Sequence, residues 1–257
     1  MTAVIVDFGG RQFASNPSYS GGTFAYPLTK GGFTGWDGGA STRHAQIERP
    51  WGHGAFPSRI LRADRLVTLE GLVVGDSPRD LKLQMEFLAA LPAEYGRLSV
   101  TERGMTRWAL AVPNLVECDR PQATDRMARF RVELWCPEPW KYGDERVFTA
   151  RFGGSVKVRQ YGTVPAAPIV RVTGPATGSQ VTIKLAGRTM RVLGTVPAND
   201  FVEVDCRSGV ARNKRGQVLS RRVFGDLLEV PTGTESTMTV TGSGSGAGSL
   251  TVTDTYV

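Results

Sequence analysis

The side chains of this 257-residue chain that could carry chemistry begin with two histidines, His44 and His53. Neither has an HxxxH or HExxH partner, so neither reads as a metal ligand. A Ser-His-Asp hydrolase would have to recruit one of them, yet both lie in or beside glycine-rich loop sequence and no GxSxG elbow is present. Cys118, Cys136 and Cys206 are odd in number, widely spaced and form no CxxC. They read as reduced, partly buried thiols rather than a disulfide framework or a zinc site. GGFTGWDGG (31–39) has the glycine density of a phosphate-binding loop but lacks GxxxxGK[ST], and no helix follows to supply a dipole. Glu133 and Asp119 could be paired as glycosidase carboxylates, although any β protein offers such pairs. The expectation is a protein that is not an enzyme, with no catalytic residue, no metal and no cofactor.

The elements that position these residues read as strands. AVIVDF (3–8) opens the chain, followed by a long glycine-rich stretch with isolated aromatics Phe13, Tyr19, Phe24, Tyr26, Phe33 and Trp36. RHAQIER (43–49) is expected as a strand and ERPWGHGAFPS (48–58) as a turn-rich loop. RLVTLEGLVV (65–74) alternates, with Val67, Leu69, Gly71 and Val73 on one face. The one convincing helix spans 78–91: Ser77 is the N-cap, Pro78 the first helical residue and Asp80 a shortened capping-box partner. Leu81, Leu83, Met85, Phe87, Leu88 and Leu91 give it a broad apolar face, and Pro92 stops it. Strands are expected at 97–103, 106–112, 115–119 and 127–136, with a hairpin turn at Arg103-Gly104-Met105. CPEPWKYG (136–143) marks a domain boundary. Beyond it there is no Trp and no His, and strands are expected at 147–152, 168–174, 179–185, 188–194, 200–206, 225–230, 236–242 and 249–257. That spacing is the signature of a sandwich. GSGSGAGS (242–249) reads as a turn between the last two strands.

Apolar residues make up 40% and charged residues 21% of the chain, ordinary globular usage that excludes a coiled coil or fibrous repeat. No run of about 18 apolar residues exists to span a membrane. MTAVIVDFGG has no basic lead before its short apolar run and is not expected to be a signal peptide. The net charge is +7, and 25 of the 31 basic residues are Arg. Three readings stay open: a solvated surface, Arg forks serving protein interfaces, or a nucleic-acid partner. Acidic residues alternate closely with Arg through 59–80 and 117–151, which dilutes any single-sign field and argues against specific nucleic-acid binding. In MARFRVELWC (127–136), Phe130, Val132, Leu134 and Cys136 share one face, while Arg129, Arg131, Glu133 and Trp135 share the other. The second face fits either an ordinary exposed sheet or a protein partner. In the second half, Phe201 alternates with Val202 and Val204 and is expected in the core. Arg188, Arg191, Arg221 and Arg222 are expected on a solvated face.

The order of these segments resembles the distal tail protein (Dit) family of long, non-contractile-tailed bacteriophages, over nearly the whole chain. Gly35-Trp36-Asp37, then His53-Gly54, then Arg65-Leu66-Val67-Thr68-Leu69-Glu70-Gly71 resembles the family's early motif, and the lone helix after that strand fits. Phe130 to Leu134 running into Cys136-Pro137-Glu138-Pro139-Trp140-Lys141-Tyr142 resembles the end of its first domain. Gly162-Thr163 before Pro168 to Gly174 resembles the opening of its galectin-like second domain. The resemblance implies a mainly β fold: an N-terminal β-sandwich-like ring domain with one α-helix (1–143), followed by a C-terminal galectin-like β-sandwich (144–257). It implies a structural virion protein of the tail tip, assembled in the host cytoplasm. Such a protein forms a homo-oligomeric ring, six copies expected, that joins the tail tube protein to the hub or tail-associated protein. A cyclic ring needs two different matching surfaces on each protomer. The candidate interface residues are Trp36, Asp37, Arg49, Trp51, His53, Arg65, Arg129, Arg131, Trp135 and Trp140. Exposed strand edges and the glycine-rich arm are expected to pair with a neighbour by strand addition. The alternative is a lectin-like module for host cell-wall glycans.

Overall fold

A computed structural model describes residues 4–15, 26–44, 47–119 and 125–257. Tyr19, Phe24 and positions 45–46 of the expected strand RHAQIER lie outside the described residues. The chain is mainly β and divides into two compact units, Met1–Lys141 with Val257, and Tyr142–Tyr256.

The first unit contains β1 (Val4–Phe8), β2 (Arg11–Ala14), β3 (Tyr26–Thr34), β4 (Thr42–Arg43), β5 (Ile47–Glu48), β6 (Ala55–Phe56), β7 (Leu61–Arg62), β8 (Arg65–Val74), α1 (Pro78–Ala89), β9 (Gly96–Glu102), β10 (Met105–Asp119) and β11 (Met127–Cys136). The sandwich-like layering expected here takes the form of a seven-stranded sheet, β11-β8-β3-β2-β1-β9-β10, closed by pairing of β10 with β11. Strict alternation drives closure. Arg65, Val67, Leu69, Gly71 and Val73 of β8 point inward, as do Phe130, Val132, Leu134 and Cys136 of β11, and curling the sheet round a core buries that face of every strand. Phe13, Tyr26 and Phe130 stack inside it with ring centroids 5.5 to 6.3 Å apart. Gly71 admits the crossing of β3, since a Cβ there would lie 2.2 Å from the Pro27 carbonyl and 2.8 Å from the Phe130 ring.

Ser77 Oγ accepts from the Asp80 N–H at 3.1 Å, as an N-cap should. The Asp80 carboxylate accepts from the Asp76 N–H at 2.9 Å, one residue before the cap, rather than from the cap residue's own N–H. The helix ends at Ala89, two residues earlier than expected, and its apolar face is narrower. Leu81 and Leu88 are buried, but Leu83 and Phe87 are exposed, with Arg11 lying over the Phe87 ring.

The two strands expected at 106–112 and 115–119 are one. Pro113 lacks the N–H for a ladder bond, and the strand absorbs it as a register shift between Pro113 and Leu115. RHAQIER is not a single strand: its ends fall in two separate ladders, β4 with β7 and β5 with β6. Together with the turn-rich loop, the described residues of 41–44 and 47–63 make an antiparallel arm, closed at its base by the Ala63 N–H to the Ser41 carbonyl.

The second unit contains β12 (Lys141–Arg151), β13 (Ser155–Val158), β14 (Ile169–Thr173), β15 (Gln180–Leu185), β16 (Arg188–Leu193), β17 (Phe201–Asp205), β18 (Ala211–Asn213), β19 (Val223–Gly225), β20 (Ser236–Thr241) and β21 (Ala247–Tyr256). Its sheets run β12-β21-β14-β17-β18 and β13-β20-β15-β16-β19. Val170, Val172, Val202, Val204 and Val252 of one sheet meet Ile183, Met190, Val192, Met238 and Val240 of the other in a single apolar core. Ala186 and Gly187, both at positive φ, form the β15–β16 turn. The strand expected at 225–230 is displaced to Val223–Gly225. Asp226 turns the chain there by exchanging two hydrogen bonds with Thr189, its N–H to the carbonyl and its carboxylate to the N–H. The glycine-rich turn shortens to 242–246, and Ala247, Gly248 and Ser249 join the last strand.

Candidate interaction surfaces

Arg65 is fixed first by its place at the start of β8. Its side chain points inward, where its guanidinium donates to the carbonyls of Gly35 and Trp36 at 2.8 Å, of Gly38 at 3.3 Å and of Pro139 at 3.2 Å. One planar fork thus fastens the Gly35-Trp36 turn to the end of the first unit, which Lys with a single head could not do. Gly35 is required by this turn: it sits at φ 80°, and a Cβ would meet the Leu66 carbonyl at 1.9 Å. Lys141 closes the same junction. Its ammonium donates to the Trp36 carbonyl at 3.1 Å and lies 5.5 Å from the centre of the Trp36 ring. Burial, helped by the positive charges of Arg65 and Arg107, pushes Lys141 down to about 8, with Asp37 the opposing acid. Trp36, Arg65 and Lys141 are each only 4% exposed. The expectation that Trp36 and Arg65 face a partner is therefore corrected: they hold the chain to itself. Asp37 is exposed beside them, and Trp140, half-buried, lies 6.0 Å from the guanidinium of Arg62.

A second group lies on the outer face of the barrel. Arg131 ion-pairs with Glu133 at 2.7 Å and with Glu70 at 3.7 Å. The Glu133 hydrogen bond holds Arg131 above its ordinary range. Arg129, Arg131, Glu70, Glu117 and Asp119 line a cavity of about 420 Å³. Here the imagined carboxylate pair separates: Asp119 stands opposite Arg129, and Glu133 opposite Leu115. Further along β11, Trp135 donates its indole N–H to Asp64 at 2.6 Å and lies 6.3 Å from the Tyr95 ring.

The third group is the arm. Trp51 is 99% exposed at its tip, His53 is exposed beside it, and Arg49 lies over the Phe56 ring at 5.6 Å. Ile47, Phe56, Ile60 and Leu61 are exposed as well. These four are hard to see in the sequence because they follow neither a helical nor a strand period. The signal available was their crowding between arginines in a segment rich in Pro and Gly. In the sequence Lys141 stands out only within CPEPWKYG, and Tyr95 carries no signal until the fold sets it against Trp135.

His44 is exposed and joins no cluster, and no metal-holding group of His, Cys, Asp and Glu exists among the described residues. All three cysteines are free thiols. Burial raises Cys136 and Cys206 to about 11 and raises Cys118 as well. Phe201 is not in the core. It projects outward, half-buried, under the Arg171 guanidinium at 4.4 Å, so the face of its ring is covered. Arg188 and Arg222 are partnered rather than simply solvated, Arg188 by Glu229 and Arg222 by the carbonyls of Leu193 and Thr195.

A closed barrel with one helix, followed in the chain by a two-sheet sandwich, is the architecture to be compared. No known sequence family and no curated protein matches the chain. Among solved structures, the Dit protein (gp 19.1) of phage SPP1, described as a hub adsorption apparatus of phages infecting Gram-positive bacteria, matches with a TM-score of 0.72. It is 13% identical and 99% of each chain is covered. The phage p2 baseplate in its activated conformation with Sr matches at a TM-score of 0.48 and 7% identity, over 98% of both chains. The chain therefore has the fold of a Dit protein over its full length, in line with the resemblance carried by its motifs.

Proposed function

We propose that this chain is a structural subunit of a phage tail tip, a hub component that works through its outer surfaces. Copies of the first unit join into a ring, six by expectation, between the tail tube protein and the hub or receptor-binding apparatus. The second unit, galectin-like in this reading, decorates the outside, and the particle is put together in the host cytoplasm. The observation that carries this is the agreement of fold with a hub adsorption protein across both units, at a TM-score of 0.72. Light scattering and negative-stain imaging of the purified chain, alone and with its tube protein, test it. An annulus of about six subunits is expected. A chain that stays monomeric in the presence of its tail partners would refute it.

Binding of host glycans by the second unit is the other reading. It is favoured by a groove of about 690 Å³ lined by Pro197 together with Asn199, Asp200, Asn213, Lys214, Arg215 and Gln217. A glycan array probed with the full chain decides it, a flat response removing the reading.

A further inference from the structure

We propose that the 41–63 arm of one copy seats the Trp51 side chain on an aromatic socket of the next copy, formed by Leu66, Tyr95, Leu110 and Trp135. This rests on the tail-tip reading and names the two surfaces through which copies would join.

The arm is built to be presented. Two short ladders, β4–β7 and β5–β6, and the Arg49 N–H to the Gly54 carbonyl hold its shape. Yet Ile47 is 60% exposed, Ile60 67% and Trp51 99%, so its apolar side chains pack on little within this chain. A lone two-stranded ribbon is marginal in water, and exposed apolar clusters of this kind mark places where another molecule binds. Trp is also the residue most enriched at interface hot spots.

The socket is uncovered in the same chain. Trp135 stands opposite Leu66 on one side and Val112 on the other, so β8, β11 and β10 put these side chains in one row on the outside of the barrel. Leu110 lies on the same face as Val112, two residues earlier, and the Tyr95 ring packs against Trp135. Asp64 holds the Trp135 indole in place, which makes the socket a formed surface rather than a loose one.

Charge complements shape. The arm carries Arg43, Arg49, Arg59 and Arg62 against one acid, Glu48. Beside the socket, Asp64 accepts from Trp135, and Glu94 precedes Tyr95 in the chain. Arg131 and Glu133 neutralise each other there with Glu70 alongside, and Arg97, opposite Leu110 in the ladder, lies over Trp108 with its charge intact, so the acids of the socket outnumber its free cations only slightly while the arm is strongly basic. Since knob and socket are different surfaces of one chain and both are uncovered, a second copy satisfies them head to tail. Head-to-tail contacts of this kind build a ring when the rotation between copies closes.

The test uses full-length chains and three preparations. Trp51→Asp and Leu66→Glu each alter an exposed side chain, so melting curves should match the wild type. Each variant alone should weaken self-association by about tenfold or more in sedimentation equilibrium. An equal mixture of the two should regain a two-chain complex and nothing larger, because one variant keeps a sound socket and the other a sound arm. A photo-crosslinking residue at position 51 should capture peptides containing Leu66, Tyr95 or Trp135 of another copy. Trp51→Asp rings that assemble like the wild type overturn the proposal and leave the tail-tip reading standing, as does a mixture that stays monomeric. Binding of anionic phosphatidylglycerol vesicles through Trp51 without any effect on subunit association overturns it too. A wild-type chain that never associates, even with its tube partner, overturns the tail-tip reading itself.

Discussion

Replacing Lys141 by Met should stabilise the first unit at neutral pH. The Lys141 ammonium is held at about 8 against an ordinary 10.5, a shift of 10.5 − 8 = 2.5, and at about 1.4 kcal/mol per unit this is about 3 kcal/mol. The folded value is the lower one, so between pH 8 and 10.5 the unfolded chain holds a proton that the folded chain has released. Stability therefore rises with pH across that window, and below pH 8 the fold carries the whole cost of a buried, repelled charge. Met keeps the apolar stem and drops the charge. It also drops the hydrogen bond to the Trp36 carbonyl, about 1 kcal/mol net, although that carbonyl still receives Arg65. Lys141→Met should thus gain about 2 kcal/mol at pH 7 and lose about 1 kcal/mol above pH 10.5. Urea unfolding of both proteins at pH 7, 8.5 and 10 measures the difference. Cys136, raised to about 11, makes both proteins less stable as pH climbs from 9 to 11, and it cancels in the comparison. Parallel stability profiles, or a Met variant weaker than the wild type at pH 7, would refute the reasoning.

Arg65→Lys should cost about 3 kcal/mol or more, because one ammonium cannot serve four carbonyls from Gly35 to Pro139; chemical denaturation should show it as a lower midpoint. Ser77→Ala should cost about 1 kcal/mol by removing the Oγ acceptor for the Asp80 N–H, read from the same unfolding curves. With maleimide at pH 7.5, Cys136 and Cys206 should react only in denaturant, while the half-buried Cys118 should label slowly in the native chain, as peptide mass spectrometry can follow.

Strand identity was legible wherever alternation was strict and long. Residues 65–74 and 127–136 read correctly to the residue, and the inward faces with them. The helix start was legible because its cap is local chemistry, while its end and the width of its buried face depend on what lies against it. Leu83 and Phe87 look identical to Leu81 and Leu88 until the barrel takes only one side. The short strands Ser155–Val158 and Ala211–Asn213 gave no signal, being held by cross-chain pairing rather than by their own pattern. Among the candidate interface residues, charge and aromaticity alone could not separate Arg65, an internal clamp, from Arg129 and Arg131, which stay outside. That distinction needs the register of β8, because inward and outward differ by one residue.

The closure of β10 on β11 spends the backbone groups that a free sheet edge would have offered to a neighbour. Along that seam β10 and β11 have no edge left to pair, and what the barrel presents there is side chains. Joints written in side chains can be rewritten one substitution at a time while the cylinder beneath them stays put. Two chains with 13% of their residues in common share this fold.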